Sequence, residues 1–72
     1  MLEAYSLQTG RTTIDLREVV EYSERLVKSN GHIYQATFIA TRYGAKHILL
    51  LSYADFQEAI EGETGRVSVK TF

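Results

Sequence analysis

Between Phe38 and Ile60 two short apolar runs flank a glycine-containing connection and lead straight into a capped helix. No other stretch restricts the possible folds as much. Phe38-Ile39-Ala40-Thr41-Arg42 comes first, Tyr43-Gly44-Ala45-Lys46 follows, and His47-Ile48-Leu49-Leu50-Leu51 completes the pair. Both runs are β-compatible, and the connection is short enough to reverse the chain, so an antiparallel hairpin is expected. Gly44 is the residue suited to the positive φ of a tight reversal. Ser52 stands where an N-cap belongs, with Asp55 three residues on. That pattern starts a helix at Tyr53 and carries it to about Glu61, with Tyr53, Phe56 and Ile60 on the core side.

The remaining elements are read by the same rules. Leu2 to Gln8 is weakly strand-like and Thr9-Gly10 is a turn. Asp15 to Ser29 reads as the best helix: Asp15 caps it, Glu18 takes the reciprocal position, and Leu16, Val19, Val20, Leu26 and Val27 recur at helical spacing. Glu21 with Arg25 and Glu24 with Lys28 are i,i+4 pairs in the favourable orientation. Asn30-Gly31 then supplies a left-handed C′ residue. His32 to Arg42 is a long strand with Ala36, Phe38 and Ala40 on one face and Ile33, Thr37 and Ile39 on the other. Gly62 and Gly65 loosen the chain, and Arg66 to Phe72 alternates in a way that suits a strand formed on contact with something else.

Size and composition bound the function. A chain of 72 residues makes one small domain, and small cores usually need disulfides, a metal or a partner subunit. Cysteine is absent and the two histidines, His32 and His47, lack ligand spacing, so no metal and no cofactor are expected. Self-association or an unusually good core remains, and of the two a homodimer is expected. The net charge of −1 offers no broad basic field for a nucleic acid. The longest apolar run is far below the roughly 20 residues of a membrane span, and no secretory signal is visible. A cytoplasmic protein without membrane contact is the expectation. No glycine-framed nucleophile and no phosphate-cradling loop occurs, which points away from an enzyme.

The run Ile39-Ala40-Thr41-Arg42-Tyr43-Gly44, continued by Ile48-Leu49-Leu50-Leu51-Ser52 and Asp55-Phe56, resembles the Phd/YefM (prevent-host-death) family of type II antitoxins. Leu16-Arg17-Glu18-Val19-Val20 stands where that family has its amphipathic first helix. The likeness covers roughly residues 12 to 61. It implies an α+β domain of β-α-β-β-α order with an antiparallel hairpin, dimeric, in which residues 1–61 dimerise and contact operator DNA. Residues 62–72 would form a tail that neutralises a cognate toxin, or an extra strand.

Under that resemblance the DNA contacts are Arg11, Thr12, Thr13 and Arg17 near the start of the first helix, with Arg42 in the hairpin. Arg11, Arg17 and Arg42 read equally well as solvated surface charges. Asp55, Glu58, Glu61 and Glu63 make a negative patch, either a solvated face or a docking surface for a basic partner. The partner-binding set is Glu61, Glu63, Arg66, Val67, Val69 and Phe72, the last three being apolar anchors able to add to a partner sheet. A second function class stays open beside the antitoxin: a small phage- or plasmid-type protein–protein inhibitor or adaptor that binds no DNA.

Overall fold

A computed structural model describes residues 1–64. The chain runs β1 (Leu2–Ser6), β2 (Gly10–Ile14), one 3-10 turn (Leu16–Glu18), β3 (Val19–Ser29), β4 (His32–Thr41), β5 (Lys46–Leu49) and α1 (Tyr53–Thr64). The strands form one five-stranded sheet in the order β2-β1-β5-β4-β3, and every recorded pairing is antiparallel. This overturns the expected β-α-β-β-α arrangement. The first helix does not exist.

The correction lies in residues 15–29. Asp15 does cap a helical turn, accepting the Arg17 N–H at 3.1 Å, but the turn ends at Glu18 and Val19 begins an eleven-residue strand. The i,i+4 spacing that suggested a helix serves a strand as well, because residues four apart also share a strand face. Glu21 and Arg25 lie on one face of β3 and Glu24 and Lys28 on the other, as their partners in β4 require. Asn30-Gly31 decides between the two periods. Asn30 has φ 51° and Gly31 φ 78°, two successive left-handed residues, which a type I′ hairpin turn requires and a helix C-cap does not. The ladder that follows runs from Ser29↔His32 to Val19↔Thr41, with a bulge between Val19 and Glu21.

The expected first strand, hairpin and second helix are present, while the expected strand at Arg66 to Phe72 lies outside the described residues. β4 and β5 form the hairpin, from Ala40↔Lys46 to Thr37↔Leu49, and Gly44 carries φ 84° in the reversal. Ser52 caps α1: its Oγ accepts the Asp55 N–H at 3.2 Å and its carbonyl accepts the Phe56 N–H at 2.9 Å. The helix continues through Gly62 to Thr64, beyond the expected end. β2 has no counterpart in the expectations, since Gly10-Arg11-Thr12-Thr13-Ile14 carries a single large apolar residue.

Geometry forces the sheet to curl. β2 and β3 are its opposite edges, about 19 Å apart across the strands if the sheet were flat, and the registers set Ile14 and Val19 toward opposite ends of it as well. The link from Ile14 to Val19 spans only roughly 14 Å with its 3-10 turn. The concave side produced by the curl receives α1. Ile14, Leu16, Val19, Ile39, Leu49, Phe56 and Ile60 make the buried core there. Tyr22 closes it against Tyr53 and Phe56, with ring centroids 5.6 and 5.1 Å away. Buried Thr37 donates its hydroxyl to the Leu51 carbonyl at 2.9 Å, so its burial leaves no orphan donor.

Two substitutions test this account by urea unfolding. Phe56→Ala removes the largest fully buried side chain and is expected to cost about 3–5 kcal/mol. Gly31→Ala is expected to cost about 1 kcal/mol, because alanine resists a positive φ. An unchanged midpoint for Gly31→Ala would contradict the hairpin assignment.

Candidate functional site

One helix covers one side of the sheet, and among the described residues nothing covers the other side. The strand registers place Tyr5 of β1, Ile48 of β5 and Ala36, Phe38 and Tyr34 of β4 on this open face. Leu7 and Leu50 extend it, since the Leu7 N–H donates to the Ile48 carbonyl at 2.9 Å and the Leu50 N–H to the Tyr5 carbonyl at 2.8 Å. Tyr5 is 58% exposed, Leu7 48% and Leu50 43%. Neighbouring strands set these side chains side by side, so they make a continuous apolar strip across β1, β5 and β4. Contiguous exposed apolar area of this kind marks interaction surfaces, whereas scattered single residues do not.

Charge frames the strip. Arg11 stands opposite Tyr5, Arg25 opposite Ala36, and Lys46 opposite Ala40. The Arg25 guanidinium carbon lies 5.1 Å from the Phe38 ring centroid, a cation–π contact that holds the arginine flat along the face. Glu3 pairs with Arg11, the Arg11 Nε donating at 2.6 Å. Glu21, opposite Ala40, is the second acid of this face. Helix α1 has the opposite character: Asp55, Glu58, Glu61 and Glu63 lie in a segment without a single base. The molecule therefore has an acidic helical side and an apolar sheet side edged by bases.

The structure scatters the expected DNA contacts. Arg11 and Thr13 lie on the exposed side of β2, and Arg11 is engaged by Glu3. Thr12 is half-buried on the helix side. Arg17 and Arg42 do meet, but the Arg42 Nη2 donates to the Arg17 carbonyl at 3.1 Å, and the Arg17 Nε to Asp15 at 3.3 Å. Of the expected partner-binding set, Glu61 and Glu63 are on α1, and Glu63 pairs with the N-terminal ammonium group. Arg66, Val67, Val69 and Phe72 lie outside the described residues.

A cleft of about 500 Å³ opens elsewhere, lined by Thr12, Ile14, Asp15, Glu18, Tyr43 and His47 among others. Its histidine has a structural task. His47 Nδ1 lies 3.0 Å from Ser6 Oγ, and that buried hydroxyl also accepts the N–H groups of Gln8 and Thr9. The Ser6 hydroxyl is thus enclosed and fully engaged, which pins the β1–β2 turn against β5. Among the described residues no group of three His, Asp or Glu is placed to hold a metal ion, and no helix is long and apolar enough to cross a membrane.

The sheet-face residues escaped the sequence reading. Tyr5, Leu7 and Leu50 come together only through the β1–β5 pairing, a long-range contact that no local pattern announces. Comparison with known proteins finds no family model that matches the chain, and no match among curated proteins or solved structures.

The Asp15–Arg17 contact supplies a measurable check on the link between β2 and β3. The Arg17 guanidinium, helped by the Arg17 N–H, holds the Asp15 carboxyl below its usual range. A carboxyl depressed in the folded state contributes stability above its unfolded pKa and loses it as pH falls through the folded value. Arg17→Ala is expected to raise the Asp15 titration midpoint, followed by NMR, toward the ordinary carboxylate range. An unmoved midpoint would remove this contact from the turn.

Proposed function

We propose that this chain is a small protein-interaction module that docks a partner protein on the open face of its sheet. The observation carrying this reading is the strip of exposed Tyr5, Leu7 and Leu50 with half-buried Ile48 and Phe38 between and beside them, and with Arg25 and Lys46 at its margins. The partner it suits presents an apolar patch with acidic residues around it. Ile48 and Leu50 of β5 separate the Tyr5 ring of β1 from the Phe38 and Tyr34 rings of β4. That spacing suits an apolar protein patch better than a single-stranded nucleic acid, whose successive bases stack on neighbouring rings.

This is the inhibitor or adaptor class rather than the operator-binding class. Operator recognition draws little support from the surface: Arg11, Arg17 and Arg42 each have an intramolecular partner, and the helix that was to approach DNA is a strand. Net charge near zero adds no long-range attraction for a duplex. A toxin is one protein of the partner class described, and the reading rests on the surface rather than on that identity.

A photo-crosslinking amino acid placed at Tyr5, and at Glu58 of α1 as a control, tests the reading in cells. A discrete adduct is expected from position 5, absent from position 58, and lost when Leu50→Glu is added. Adducts from position 58 alone would transfer the docking surface to the acidic helix. Specific retardation of duplex DNA at about 0.1–0.2 M salt, unaffected by Leu50→Glu, would return the operator reading.

A further inference from the structure

β5 pairs with β4 only from Thr37 to Ala40, while β3 pairs with β4 out to Ser29 and His32. Residues 25–36 therefore project as a two-stranded arm. On the helix side of this arm Leu26 and Ile33 are diagonal neighbours in the register and are 67% and 68% exposed. A bare two-stranded hairpin with apolar side chains in water is marginal by itself. Among the described residues β3 is also the end strand of the sheet, so its outer edge is left without a neighbouring strand there, with no proline along it.

The charges on this edge select a mate. An antiparallel pairing of two identical strands about an axis normal to the sheet sets one residue opposite its own copy. Centring on Glu24 or Arg25 opposes like charges, which destabilises. Centring on Tyr22 or Val27 pairs no opposite charges. Centring on Ser23 matches Glu21 with Arg25 but runs into the bulge at Val19–Glu21, where a regular ladder breaks. Centring on Leu26 sets Leu26 against Leu26 and Glu24 against Lys28 twice, and keeps wholly to the regular part of β3.

We propose that β3 pairs antiparallel with β3 of a second copy of this chain, about a two-fold axis at Leu26. The two arms then form a four-stranded patch in which Ile33, Leu26 and their copies make one diagonal apolar stripe, flanked by two Glu24–Lys28 pairs. Edge pairing supplies backbone hydrogen bonds, and the side chains supply register. The proposal is independent of what docks on the open face.

Sedimentation of the full chain decides it. A dimer is expected at micromolar concentration. Glu24→Lys and Lys28→Glu are each expected to weaken it about tenfold or more, since each opposes like charges at two places. The double variant is expected to restore wild-type association, because reversal on both sides of a two-fold contact re-forms both pairs. Leu26→Asp, at a position outside the core, is expected to give folded monomers by circular dichroism, while Arg25→Glu leaves the dimer intact. A monomeric wild type, a double variant that stays weak, or splitting by Arg25→Glu rather than by Glu24→Lys would each overturn the proposal.

Discussion

Among the described residues a single twelve-residue helix covers a five-stranded sheet, and that imbalance governs everything else. Phe56 and Ile60 fill the concave side, where Leu16 and Val19 join them from the link and the start of β3. Without the curl imposed by the short Ile14–Val19 link, one helix could not close a core against so many strands. With it, each of Ile39, Leu49, Phe56 and Val19 is withdrawn from water, and full burial of such side chains contributes about 1.5–3 kcal/mol apiece before ordering costs. Among the described residues no second helix covers the other side. The open face and the arm are thus consequences of how the core is built.

Those consequences also explain how the sequence misleads. The β4–β5 hairpin and the Ser52 cap are legible because their signals are local: apolar runs, Gly44, and a serine before Tyr53-Ala54-Asp55. Residues 15–29 are ambiguous in a specific way. Glu, Arg, Leu and Lys favour a helix, and a spacing of four satisfies both periods, so pattern and propensity agree on the wrong element. What outweighs them is non-local: ten facing residues from His32 to Thr41 and an Asn-Gly turn that places them there. β2 lacks pattern altogether, since Thr12 and Thr13 report no face. It becomes a strand because β1 supplies its ladder from Leu2↔Ile14 to Ser6↔Gly10.

The open face was illegible for the same reason. Alternation in β4 does separate Phe38 from Ile39, but nothing within Leu2–Gln8 shows that Tyr5 and Leu7 lie beside Leu50 and Ile48. The charge pattern was half legible. Four acids on α1 could be read directly, whereas the bases at the margins of the sheet come from β2, β3 and β5 and gather only on folding. Arg25 shows how a residue changes meaning. On a helix it would pair with Glu21 one turn away, and here it lies over Phe38 at the border of an apolar strip.

The two surfaces bear a fixed relation to each other. An axis normal to the sheet turns each copy about its own face direction, so pairing through β3 leaves both open faces looking the same way and both helices on the opposite side. Each strip, built on β1, β5 and β4, remains clear of the edge that carries the contact. Such a dimer would present two identical apolar strips in one plane, joined by a four-stranded arm rather than a flexible linker. Rigid pairing of two sites raises the effective concentration of the second only where their spacing matches the ligand. The arrangement therefore favours partners that are themselves two-fold or repetitive, and monomeric partners gain nothing from the second strip. In such a dimer a docking site on so small a sheet would become selective through geometry, without any further contact on either copy.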